Sequence, residues 1–223
     1  MLPNVIYHRN MLRLFRNVKH MFLELFTAVY VDVDFSENLT IGIKWEPQSL
    51  HWSKKQVTVH SGITKTVDGV KTYHPFVSDT LQHDQTFVHL SIREMLDATD
   101  LDDANYIIVE SDNCSSQYKS AEHFTDLQSI SDDFEMPLVR LYGIEGHGKG
   151  EVDHVGGIAK VYARDQISRG VIYQNASSIV SSLVNKFGEK TNPKYHIQVS
   201  SFKFLGDSGD PQEEGMNINT VLH

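Results

Sequence analysis

A single cysteine, Cys114, leaves this 223-residue chain without an internal disulfide and with too few thiolates for a cysteine-rich structural zinc site. That usage fits a reducing compartment. Long apolar runs are also missing. The nearest candidate, MFLELFTAVYV at 21–31, is broken by Glu24, has no small-residue cleavage site and runs straight into VDVD. It reads as helix passing into strand, neither a signal peptide nor the roughly 20 apolar residues of a membrane span, and predicts a soluble protein. Positive charge is scarce: 20 Lys and Arg face 29 Asp and Glu, a net charge of −9. That balance opposes tight duplex binding, which is driven by neutralising phosphates with cations. Repeats and low-complexity tracts are absent. The 12 histidines are scattered and form no HExxH helix, which argues against a zinc hydrolase despite His147, Asp153 and His154 lying near one another in sequence. GHGKG lacks the GxxxxGK[ST] spacing of a phosphate-binding nucleotide loop.

What is present suffices for one sizeable core, with 40% hydrophobic and 22% charged residues. Residues 1–26 form an N-terminal segment in which 8–26 have the spacing of an amphipathic helix with a basic outer face. Residues 27–205 read as the core, and 206–223 as a polar, disordered tail. Within the core, AVYVDVDF (28–35), LTIGIKWE (39–46), QVTVHSGI (56–63) and 71–77 read as strands. A helix over 84–96 follows, then a strand at NYIIVESD (105–112), a helix over 115–130 and a strand at PLVRLYG (137–143). A glycine-rich turn (143–157) leads into a helix over 155–168. A second helix spans 175–187, and 195–204 alternates like a strand. Consecutive strands followed by alternating helix and strand predict an α/β fold, a mixed sheet with helices on its faces.

The acidic residues fall where such folds gather functional groups. Asp32 and Asp34 lie two apart near the end of the first strand and share a face. Asp112 sits where the NYIIVESD strand runs out, and Glu151 and Asp153 lie at a helix entry. Three carboxylates from three elements are what a magnesium-dependent phosphodiester reaction needs, because hard oxygen ligands bind Mg²⁺ together with waters and substrate phosphate. Architectural readings stand beside this one: a strand-terminal Asp can form a turn, and Asp153 can cap a helix.

Four segments in order, DFSEN (34–38), SDTLQHD (78–84), SDNCSSQYKS (111–120) and GHGKGEVDHVGG (146–157), resemble a DDE/D-type transposase-like family of animal mobile elements. The corresponding family patterns read DFxEN, SDxxxHD, SDGxxxQYKN and SHGKGxxDGxGG. The resemblance covers about 28 to 165 and implies a ribonuclease-H-like mixed sheet of the retroviral-integrase-like superfamily. It implies Asp34, Asp112 and Asp153 as catalytic ligands of Mg²⁺ or Mn²⁺, with Glu151 the alternative third ligand. Glu37, His83, Lys119, His147 and Lys149 match family positions and are expected to support the site, Lys149 by meeting DNA phosphates. DNA as partner and nuclear action follow from the same resemblance; no membrane is involved, and homo-oligomer formation is left open. The chain departs from the pattern at Asn113, Ser120, Gly146 and His154, none of which removes a carboxylate. The expected activity is strand cleavage or transfer by a truncated or domesticated core; the alternative is an inactive DNA- or protein-binding module that keeps the fold.

Overall fold

The computed structural model of the chain describes residues 21, 27–41, 55–111, 121–143 and 151–187, together with the backbone of 195–197 and 200–202. The elements run β1 (Ala28–Thr40), β2 (Gln56–Lys65), β3 (Lys71–Ser78), α1 (Gln85–Asp97), β4 (Tyr106–Ser111), α2 (Ala121–Asp133), β5 (Leu138–Tyr142), α3 (Glu151–Ser168), α4 (Ala176–Phe187), β6 (Tyr195–Ile197) and β7 (Ser200–Phe202). The sheet order is β5-β4-β1-β2-β3-β6, with β7 also pairing β3. β1–β2 and β2–β3 pair antiparallel, whereas β4 pairs parallel with β1 and with β5, and β6 and β7 pair parallel with β3. A three-stranded meander extended across its first strand by two parallel strands is the ribonuclease-H-like arrangement. It puts β1 at the centre of the sheet.

The alternation of VYVDVDF decides which side of β1 is dry. Val29, Val31 and Val33 point to one face and are fully buried against Phe87, Val88, Ile92 and Leu96 of α1 and Leu127 and Ile130 of α2. Tyr30, Asp32 and Asp34 point to the other face by the period of two. That second face carries α3 and α4, which bury Ala159, Ala163, Ile179, Val180 and Leu183 against Leu39, Val57, Val59 and Val77.

Several expectations are corrected in detail. The strands predicted at 28–35 and 39–46 are one strand as far as Thr40: a bulge between Ser36 and Leu39 absorbs the polar SEN segment and returns Leu39 to a buried position opposite Val57. Residues 42–50 lie outside the described residues, as does the helix expected over 8–26, apart from Met21. The helix expected from Val155 begins at Glu151, because Val152 already belongs to its buried stripe and Glu151 and Asp153 favour the positive end of the helix dipole. Asp153 therefore lies inside the first turn and is not a cap. The helix expected over 115–130 is α2, described from Ala121 to Asp133, and the strand expected over 195–204 divides into β6 and β7.

The loops are tied by polar groups from the resembling segments. Asp84 caps α1, accepting from the Phe87 amide at 3.0 Å. Asp79 accepts from the Ala176 amide at 3.1 Å at the start of α4 and pairs with Lys55 at 3.4 Å. α3 ends at Ser168 and is closed by Gly170, whose φ of 92° suits glycine; Gly170 and Val171 donate back to Ile167 and Gln166.

α3 lies unusually close to the sheet at one point. A Cβ built on Gly156 would stand 2.1 Å from Ser36 Oγ and 2.5 Å from Ser61 Oγ, so the helix crosses β1 and β2 there with room only for a hydrogen. A Cβ on the adjacent Gly157 would meet nothing within 4 Å. Gly156→Ala is therefore expected to destabilise the fold by about 1–3 kcal/mol through overpacking. Gly157→Ala is expected to stabilise it by about 0.5–1 kcal/mol through helix propensity. Urea denaturation of both variants checks the opposite signs.

The dry face also holds histidines. His60 is wholly buried, its ring centroid 4.3 Å from that of Phe35 and 5.5 Å from that of Phe87, and His74 is bonded to Thr64 Oγ1 at 3.0 Å. Burial lowers both imidazoles from 6.5 to about 3, with the nearby His83 adding to the effect at His60. Both rings are then neutral in the folded chain where the unfolded chain protonates them. Stability is predicted to be level above pH 6.5 and to fall below it, by about 1.4 kcal/mol per pH unit for each ring, until the folded-state values near 3 are reached. His60→Phe should remove about one proton from that slope in urea melts between pH 7.5 and 5.

Candidate active site

The carboxylate face is built from β1 outward. Asp32 is paired in register with Ile63 of β2 and Glu110 of β4, and Asp34 with Ser61 of β2. Val33 pairs with Ser111, so the residues immediately preceding Asp34 and Asp112 stand side by side. Asp112 itself lies outside the described residues, as do Lys119, His147 and Lys149. Asp32 and Asp34 are half-buried. Tyr30, on the same face, donates its hydroxyl to Glu110 Oε2. Burial first, then the negative charges of Asp32 and Glu110 and the bond to Glu110, push this phenol well above its ordinary range, against an opposing pull from Arg140. Tyr30 thus stays a proton donor, and the face around it is strongly negative.

α3 lays its first two turns over this face in a fixed rotation. Val152 and Val155 pack on Ile63 of β2 with Tyr73 of β3 at the edge. Gly156 meets Ser36 and Ser61, and Lys160 Nζ donates to the Glu37 carbonyl at 3.4 Å. Asp153, Gly156 and Lys160 are spaced three and four apart and so share one stripe, the stripe that faces β1. Asp153 is one turn before Gly156. It is half-buried, whereas the neighbouring His154, which replaces a glycine of the family pattern, is exposed.

Glu151 lies on the other side of the helix. Its Oε1 accepts from Tyr73 OH and its Oε2 from Lys71 Nζ, both at 2.6 Å. Lys71 and Tyr73 are on β3, two strands from Asp34, and this carboxylate is committed there.

The remaining expected residues divide. His83 stacks on Phe35 with centroids 4.5 Å apart and shares bonds with Asn38 Oδ1 at 2.9 Å and Thr58 Oγ1 at 3.2 Å. Phe35 and Asp34 point to opposite faces, so His83 braces the bulge of β1 from the dry side. Burial lowers its imidazole, and Asp84 opposes that shift. Glu37 is exposed at the bulge. Two members of the carboxylate face went unrecognised in sequence, Tyr30 and Glu110; the available signal was their even spacing from Asp32 and Asp112. Among the described residues no group of three or more His, Cys, Asp or Glu is gathered closely enough to hold a metal ion.

No curated protein matches the chain. Among solved structures, the catalytic core domain of BIV integrase is similar over 73% of this chain and 86% of that one, at 10% identity and a TM-score of 0.40. No helix among the described residues is long and apolar enough to cross a membrane. A protein-family model matches residues 14–202, which spans the sheet and the four helices among the described residues; its description is a domain of unknown function and not a transposase family. The chain belongs to that family, DUF8701.

Proposed function

We propose that this protein is a transposase-derived core for divalent-metal-dependent DNA strand cleavage or transfer, with Asp34, Asp112 and Asp153 as ligands of Mg²⁺ or Mn²⁺. The observation that supports the reading is the close packing of α3 on the strand that bears Asp34: Gly156, three residues after Asp153, lies against Ser36 and Ser61. The donor set fits such an ion, since carboxylate oxygens on rigid elements suit hard cations. A metal bound there supplies Lewis acidity at phosphate oxygens. The chain's own contribution is to hold its ligands ready on a central strand and a pinned helix. Tyr30 keeps its proton and shares it with Glu110, which ties down one negative group beside Asp32. Lys149 and the backbone amides near it are assigned to DNA phosphates, and Lys119 and His147 support the same site.

A second reading, a binding module that keeps the fold without catalysis, is favoured by the net charge of −9. The two are separated by one set of measurements on the full chain. With Mn²⁺ at about 100 times its dissociation constant, the wild type is expected to gain about 2.7 kcal/mol of stability. Labelled duplex DNA should be nicked only with the metal present. Asp34→Asn and Asp153→Asn should abolish the stabilisation and lower cleavage at least about 100-fold, while Glu151→Gln should weaken both far less. A wild type that neither binds Mn²⁺ nor nicks DNA would overturn the nuclease reading in favour of the binding module.

A further inference from the structure

The first turn of α3 is held on its β3 side by residues outside the proposed ligand set. At about 100° per residue, Glu151 and Asp153 are about 200° apart around the helix. The buried stripe of Val152, Val155 and Gly156 lies between them, facing the sheet. Glu151 therefore reaches down on the β3 side and Asp153 on the β1 side. The Glu151 carboxylate is gripped at both oxygens, Oε1 by Tyr73 OH and Oε2 by Lys71 Nζ, each at 2.6 Å. Those two donors are alternate residues of one strand, so they share a face and offer a rigid pair of anchor points. Tyr73 is itself packed at the edge of the Val152, Val155 and Ile63 cluster. Tyr73 pairs with Ile63, and Ile63 pairs with Asp32, so the grip is joined through a continuous hydrogen-bonded ladder to the strand of Asp34.

We infer that Glu151, Tyr73 and Lys71 form a rotational clamp on α3, which makes Glu151 a positioning residue that aims Asp153 and not a ligand. The inference rests on the metal-site reading given above. A helix packed through valines and a glycine can roll on a sheet, since apolar contacts are not directional. A roll that lifts Glu151 from β3 carries Asp153 with it, because both belong to the same turn. Two charge-assisted bonds on one carboxylate oppose the roll with a fixed geometry. The pair is exposed, so its contribution to global stability is small; its effect is orientation.

The test is a set of Mn²⁺ titrations on the full chain, followed by calorimetry and by manganese electron paramagnetic resonance, with amide hydrogen exchange over 151–157 measured without metal. Tyr73→Phe removes a donor to Glu151 and no carboxylate, so it is the decisive variant. Tyr73→Phe and Glu151→Ala are each expected to weaken Mn²⁺ binding about 10-fold. Combined, they should weaken it little more than either alone, because they break the same clamp. Both should speed exchange in the first turn of α3 and leave α1 unchanged. Wild-type affinity in Tyr73→Phe with unchanged exchange overturns the clamp. Complete loss of binding in Glu151→Ala, with Tyr73→Phe unaffected, makes Glu151 a ligand and overturns it as well. If Asp34→Asn binds Mn²⁺ as the wild type does, the metal-site reading fails and the clamp's function falls with it. If Asp34→Asn abolishes binding while Glu151→Ala and Tyr73→Phe do not alter it, the clamp alone fails.

Discussion

Everything on the carboxylate face depends on how closely α3 approaches the sheet at Gly156. A helix normally stands off a sheet by the depth of its side chains. Here the contact is a backbone hydrogen against two serine hydroxyls, Ser36 on β1 and Ser61 on β2. Glycine inside a helix costs about 1 kcal/mol relative to alanine. The penalty is offset by what the approach permits: Val152 and Val155 reach Ile63, and Ala159 and Ala163 reach the cluster around Leu39 and Val57. Small residues recurring along the stripe keep the helix low over two further turns.

β1 separates two environments with opposite demands. On one side Val29, Val31 and Val33 are buried among apolar side chains, and His60 survives there only as a neutral ring. On the other, Asp32 and Glu110 stand side by side, and burial together with their charges keeps Tyr30 protonated. Both effects follow from the cost of charge in a poorly solvated place, but with opposite results. The dry face expels charge. The other face concentrates it, which is stable only where protons, cations or water answer the carboxylates. The Phe35–His83 stack and the Asn38 bond then fasten the bulged end of β1, so the change of face at Ser36–Leu39 does not let the strand slip.

How far these features were legible in the sequence depended on their range. Alternation in VYVDVDF identified β1 and both of its faces, and the apolar spacing of 84–96 identified α1, because each signal lies within one element. Asp84 was readable as part of a motif, yet its role as a helix cap was a local geometry that the motif did not specify. The single long β1 was missed because SEN looks like a turn; only pairing with β2 shows that the strand passes through it as a bulge. The start of α3 was missed because the glycines around it resemble a loop, and burial of Val152 on Ile63 decides otherwise. Glu151 could be suspected as a ligand from its position alone. Its bonds to Lys71 and Tyr73 join residues 80 and 78 apart in sequence, and no local pattern encodes them.

The surplus of acid bears on DNA binding less directly than the total suggests. Of the 29 Asp and Glu residues, several are occupied by the fold itself. Asp84 caps a helix and Asp79 accepts from the first amide of another, while Asp133 and Asp165 pair with Arg93 and Arg169. Their fields are answered within a few ångströms, and exposed charges beyond about 10 Å are screened at moderate ionic strength. What a phosphate backbone would meet is the local arrangement, and along α3 that arrangement changes sign. Asp153 is followed on the same stripe by Lys160, with Arg164 one turn further. A negative site bordered by cations on a rigid helix is compatible with a polyanion, because the cations can face phosphates while a divalent ion answers the carboxylates. The net charge therefore constrains how tightly this chain would hold DNA by itself, and does not decide the chemistry of the carboxylate face.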